Sequence, residues 1–309
     1  MEKKTFTILG LALFAMAACV TAVQAAVSAL VKALRPEWVA QPWFSLALVA
    51  VFYFIGAPVF YLVARRVPRE APGKVQPLSA GRMLGLFCVA MSLVYVGSWI
   101  GLGVTTVLTN IFGGTTLNPV ADIITGNSLW LVVPVVCIAS PFMEELVFRK
   151  LLLDRVRPFG DRVAILYTGL AFGLYHMNFA QFFYAAAVGF LFAYIALRTN
   201  SFLYSFALHA LVNLVGSVVM PLLMAGALAG DLTDPAALLT PNTLIAVGLM
   251  VLFFAGCFVY LLAARRRFTL QPARWRFSVP IGPRVILLNP GALLYTAGCL
   301  VFFFLAVSI

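Results

Sequence analysis

The sequence predicts an all-α integral membrane protein that crosses the bilayer eight or nine times as a single domain over residues 1–309. Three observations lead there. Apolar residues fill 63% of the positions and charged residues 10%, with a mean hydropathy of +1.03, whereas soluble domains have about 45–50% and about 25%. Apolar runs recur at the roughly 20-residue length that a spanning helix needs. The basic residues collect in alternate connections between those runs.

In chain order, the first run covers 5–31 and follows Lys3 and Lys4. With V-Q-A near its end it has the outline of a secretory leader, but it is much longer than the roughly 7–15-residue apolar stretch of such leaders. It is therefore expected to be a retained helix. The second run, 43–64, stops at Arg65 and Arg66, and the third, 83–110, contains Gly97 and Gly101, a G-x-x-x-G that suits close helix packing. The fourth, 128–148, is free of charge until it closes on M-E-E-L-V-F-R-K. The fifth and sixth, 163–180 and 182–198, are divided only by F-A-Q-F-F, which leaves almost no loop. The last three are 201–226, 242–264 and 291–309, the final one barely long enough.

Charge tests this division independently, because Lys and Arg are retained on the cytoplasmic side. With the N-terminus inside, 19 of the 21 basic residues fall in cytoplasmic segments, leaving only Lys32 and Arg35 outside; the loop with Asp231 and Asp234 then faces outward. This orientation and the composition together predict a multi-pass protein of the cell membrane with a cytoplasmic N-terminus. The net charge of +11 is accounted for by these connections, so nucleic acid is not an expected partner and the lipid bilayer is. Two connections, 150–158 and 265–277, mix basic with apolar or aromatic residues, the second including Trp275 and Phe277, as segments lying on an anionic leaflet do. The five cysteines are far apart within apolar runs and form no C-x-x-C pair.

Against this background the polar residues inside the spans stand out. An ionised side chain at mid-membrane costs roughly 2.5–3.5 kcal/mol on insertion scales, which makes such groups candidates for function. Three constellations occur: Glu144, Glu145 and Arg149 in the fourth run; Phe172 and His176 in the fifth; His209 and Asn213 in the seventh. Residues four apart share a helix face and adjacent residues do not. Glu145 is thus placed to pair with Arg149, Glu144 points elsewhere, His209 stands one turn from Asn213, and Phe172 one turn from His176. Each motif has a plainer explanation, since Glu and Arg near a helix end can reach out to the interface and a lone His or Asn can tie helices together. But both histidines of the chain lie inside apolar runs. The three helices are expected to converge on one buried polar site, with residues 128–226 as the core.

That inventory suits hydrolysis. Glu144 could take a proton from water and return it to a leaving amine. His209 and Asn213 could donate to the oxyanion, each such donor being worth roughly 2.7–4 kcal/mol, and His176 could hold the attacking water. Alternatively, His176, His209 and Glu144 could form the three-ligand site of a catalytic zinc ion, although no H-E-x-x-H occurs. A proton-coupled transporter could use the same groups, but the two matching halves with broken helices that such a fold tends to show are not found in the sequence.

The pattern E-E-x-x-x-R, F-x-x-x-H, H-x-x-x-N, in this order over residues 128–226, resembles the CAAX protease and bacteriocin-processing family of intramembrane endopeptidases, which includes the type II CAAX prenyl proteases. The resemblance implies a helical membrane protease that cleaves a peptide or protein substrate, such as a prenylated C-terminal motif or a leader peptide, from the cytoplasmic side. It implies catalytic roles for Glu144, His176, His209 and Asn213, and supporting ones for Glu145, Arg149 and Phe172. It leaves open a zinc-dependent mechanism or a metal-independent one based on glutamate. A non-catalytic relative serving in bacteriocin immunity or as a membrane scaffold is the alternative.

Overall fold

The computed structural model describes residues 2–113, 127–229, 239–265, 268–273 and 282–308. Among these the chain is helical with no strand. Nine principal helices follow one another: α1 (Glu2–Leu34), α2 (Pro42–Ala64), α3 (Ala80–Phe112), α4 (Leu129–Phe159), α5 (Asp161–Tyr175), α6 (Phe179–Thr199), α7 (Phe202–Ala225), α8 (Pro241–Ala264) and α9 (Pro290–Ser308). Eight of them are long and apolar enough to span a membrane. The outward surface agrees, with Phe54 80% and Trp130 90% exposed among many other large apolar side chains; an apolar surface this extensive suits contact with lipid. The protein is an integral, multi-pass membrane protein.

The helix that does not reach spanning length is α5. Its 15 residues extend about 22 Å, short of the roughly 30 Å hydrocarbon layer. The fifth expected span thus ends at Tyr175 instead of residue 180, and the sixth begins at Phe179 instead of 182. The chain turns between them through Met177, held at φ 54°, and Asn178. The Asn178 side chain accepts from Gln181 N at 2.9 Å and donates to Gln181 Oε1 and to His176 O, both at 2.7 Å. A turn at membrane depth must satisfy its own backbone groups, and this asparagine does much of that.

The connections rich in basic residues meet on one face of the bundle. Glu70 N donates to Asp154 O at 2.8 Å, Gln76 N to Thr199 O at 2.9 Å, and Asp161 N to Gln271 O at 3.1 Å. Arg155 Nε donates to Ala64 O at 2.8 Å, Asn200 Nδ2 to Lys74 O at 3.2 Å, and Arg198 pairs with Asp161. Segments that alternate along the sequence are thus neighbours in space, as the charge pattern requires. The loop with Asp231 and Asp234, and Arg266, Arg267, Arg274, Trp275, Arg276 and Phe277, lie outside the described residues.

Close approach between α3 and α6 sets the bundle's core. A Cβ on Gly97 would lie against the Tyr184 backbone, 2.6 Å from its nitrogen, and one on Gly101 would lie 2.5 Å from Ala180 O. The two glycines of the G-x-x-x-G therefore admit the first turns of α6, where Gln181 and Tyr184 are carried. In the core Phe6, Phe60, Phe148, Phe172 and Phe192 are fully enclosed.

Candidate active site

Helix α4 is irregular where it carries the two glutamates. Residues Val133–Ala139 and Leu146–Leu152 are π-helical and flank the α-helical turn Ser140–Glu145, and π-bulges of this kind occur frequently at functional sites. In the first of them Ser140 N bonds to Val135 O, five residues back. The next donor in that pattern would be the nitrogen of Pro141, which has no hydrogen, so the Val136 carbonyl is left without a backbone partner. Asn213 Nδ2 of α7 supplies one at 2.9 Å.

The glutamates diverge as their angular separation demands. Glu145 is fully enclosed by protein; its Oε2 lies 3.3 Å from Arg149 Nε and its Oε1 3.2 Å from His209 Nδ1. Arg149 is equally enclosed, with its guanidinium carbon 4.5 Å from the centre of the Phe172 ring, 5.8 Å from that of Phe192 and 5.9 Å from that of Phe148. Neither side chain reaches out to an interface. A cation within about 6 Å of an aromatic face is attracted by the ring quadrupole, so the three phenylalanines replace part of the solvation that Arg149 has lost.

Glu144 faces the other way, into a cavity of about 210 Å³. His176, His209 and Asn213 line the same cavity, with Ser140, Gln181 and Tyr184 among its other walls. Glu144 Oε2 stands 3.7 Å from His209 Nε2. The edges of both imidazoles meet the ring of Phe172, at centroid distances of 4.9 Å for His176 and 5.7 Å for His209. A larger cavity of about 670 Å³ lies between the basic-face ends of α3, α6 and α8, lined by Arg82, Tyr194, Arg198 and Tyr260, and contains none of these groups. The chemistry follows the ionisable residues, so the smaller cavity is the candidate site.

Hydrogen bonding assigns the imidazole protons. His176 Nδ1 lies 2.9 Å from the Phe172 carbonyl, which can only accept, so Nδ1 carries the hydrogen and Nε2 keeps a free lone pair. His209 Nδ1 donates to the Glu145 carboxylate, leaving Nε2 as the atom opposite Glu144. Glu145 thereby orients His209 as a carboxylate partner commonly orients a functional imidazole.

As to zinc, no three His, Cys, Asp or Glu side chains among the described residues stand close enough to share an ion.

Ser140, Gln181, Tyr184 and Tyr53 do not stand out in the sequence. Tyr53 OH lies 2.6 Å from Ser140 Oγ, and Gln181 Nε2 donates to Tyr184 OH at 2.9 Å. For Gln181 the sequence held a clue: Asn178 and Gln181 have the spacing of an N-cap and its third helical residue.

Residues 126–215 match the family described as type II CAAX prenyl endopeptidase Rce1-like. The match includes all three motifs, and it supports assignment to the CAAX protease family and an intramembrane protease of that type. No curated protein and no solved structure matches the chain.

Proposed function

We propose that the chain, as a CAAX-type intramembrane protease, hydrolyses a peptide bond with water activated by Glu144. The observation that carries this reading is the sharing of one cavity by Glu144, His176, His209 and Asn213, with Glu145 and Arg149 turned away behind it. A water hydrogen-bonded to His176 Nε2 and to Glu144 attacks the scissile carbonyl. Its proton passes to the Glu144 carboxylate as the C–O bond forms and the carbonyl oxygen becomes an oxyanion. His209 Nε2, when protonated, and the amide hydrogen that Asn213 does not give to Val136 face that oxyanion. Glu145 offsets the imidazolium charge, as a buried carboxylate does behind a catalytic histidine. When the tetrahedral intermediate collapses, the C–N bond breaks, and the proton on Glu144 goes to the leaving nitrogen. Enclosure of the cavity strengthens each of these electrostatic contacts relative to water.

The substrate class in this reading is a membrane-associated peptide, with a prenylated C-terminal motif as the first candidate because the matched family is named for it. The face that gathers the basic connections is the one we place in the cytoplasm by the charge rule. Cleavage of a fluorogenic prenylated peptide by the purified protein tests the reading, with Glu144→Ala and His209→Ala as variants. Loss of hydrolysis by about 10³-fold or more, with the helical content and thermal unfolding of wild type, is the expected result. Hydrolysis that persists in Glu144→Ala refutes the assignment of the base. Parallel chelation and zinc add-back decide metal dependence directly: activity lost on chelation and restored by zinc would replace this metal-free route.

A further inference from the structure

A second polar cavity, of about 190 Å³, lies at the other side of Arg149, where α4 and the start of α7 come together on the basic face. Arg149, Lys150 and Arg157 line it with one acid, Asp154, which stands 3.0 Å from Lys150 and 3.9 Å from Arg157; with Glu145 paired to Arg149, three cations still face two acids. Arg149 forms an ion pair with Glu145 through Nε, and all three of its guanidinium nitrogens, Nη1 and Nη2 included, are buried without a hydrogen-bond partner. Buried polar groups are nearly always satisfied, and exceptions require an explanation. The aromatic rings around this guanidinium offer no strong in-plane acceptor. The first turn of α7 also opens here, since Ser201, Phe202 and Leu203 are in the wall, and a helix N-terminus favours negative charge. Access is open from outside, with the Lys150 side chain 31% and Leu203 54% exposed.

We propose that this cavity binds a phosphate-type oxyanion, with Arg149 as its buried anchor, Arg157 in its wall and Lys150 at its mouth. A guanidinium presents paired N–H donors that match the oxygens of phosphate, and the basic face is the level at which lipid phosphates lie. The oxyanion could come from a lipid headgroup or from a free phosphate. Ligand and Glu145 would then hold opposite sides of one cation. This inference does not depend on the proteolytic reading and is tested without activity.

The test is thermal unfolding of the full chain in nanodiscs. One arm uses zwitterionic lipid and titrates inorganic phosphate at constant ionic strength with chloride as the balancing salt. The other replaces part of the lipid with phosphatidylglycerol and adds no phosphate. Lys150→Gln and Arg157→Gln are compared with Arg162→Gln, which removes an equal charge from an exposed position outside the cavity. A saturable rise in Tm is expected in at least one arm, because a ligand that binds only the folded state stabilises it. Lys150→Gln and Arg157→Gln should raise the half-saturating concentration roughly tenfold, and Arg162→Gln should leave it unchanged. A response to phosphate alone assigns a free anion, and a response to phosphatidylglycerol assigns a headgroup. The proposal is overturned by no saturable rise in either arm, or by an equal change in Arg162→Gln and the cavity variants; should Arg157→Gln fail to fold, Lys150→Gln decides alone.

Discussion

Arg149→Met is the most informative single change for stability. It removes the cation from a pair whose two side chains are both 0% exposed and whose atoms lie 3.3 Å apart. Glu145 would keep only the side chains of His209 and Ser205 as partners, and a buried charge stripped of its counter-ion costs about 3–5 kcal/mol. At about 1.4 kcal/mol per factor of ten, the unfolded fraction should rise by roughly one hundred to a few thousand times. An interface-seeking pair would cost only about 0–1 kcal/mol, so the two cases are well separated. Removing both charges, in Glu145→Leu/Arg149→Met, should cost far less than the sum of the single changes, because replacing a whole buried pair with apolar groups is often neutral. The assay is reversible unfolding in mixed micelles with increasing sodium dodecyl sulfate, followed by tryptophan fluorescence. A cost under about 1 kcal/mol for Arg149→Met, or additive behaviour in the double variant, would refute the enclosed pair.

Other substitutions probe the packing and the ties around the site. Gly97→Ala should destabilise by about 1–3 kcal/mol, because its Cβ would lie 2.6 Å from Tyr184 N; Gly103→Ala, which meets nothing within 4 Å, should be neutral or gain up to about 1 kcal/mol. The same unfolding titration compares them, and equal effects would contradict the α3–α6 contact. Tyr295→Phe should cost about 1 kcal/mol, since the hydroxyl donates to Ala171 O at 2.7 Å in the core. Asn213→Leu should cost about 1–3 kcal/mol by leaving Val136 O without a donor, and should also lower peptide hydrolysis by about 10²–10³-fold.

Much of this was legible in the chain because membrane burial imposes simple rules. Apolar length located the helices, and the placement of Lys and Arg divided them so that segments such as 70–76, 154–161 and 199–200 lie side by side. Helical spacing alone separated Glu144 from Glu145, since one side chain follows Arg149 and its neighbour cannot. The end of α5 was missed because apolar content does not stop at Tyr175; the halt is written in the Asn178 cap, a local polar pattern outweighed by its greasy surroundings. The π-helical turns of α4 were not visible either. Pro141 announces that a carbonyl must lose its donor, but nothing in the sequence says that Asn213 of another helix answers it. For the same reason Ser140, Gln181 and Tyr184 joined the site only once the helices were packed.

That answer from Asn213 has a further consequence. The imino acid at 141 and the amide at 213 are linked by one missing hydrogen, so their substitutions should not be independent. In Pro141→Ala the new N–H can reach the Val136 carbonyl along α4 itself, which makes the bridge from α7 redundant to the fold. Combined with Asn213→Leu, it should recover the robustness of the parent while leaving turnover impaired, thereby separating the scaffolding duty of that carboxamide from any part it takes in bond cleavage.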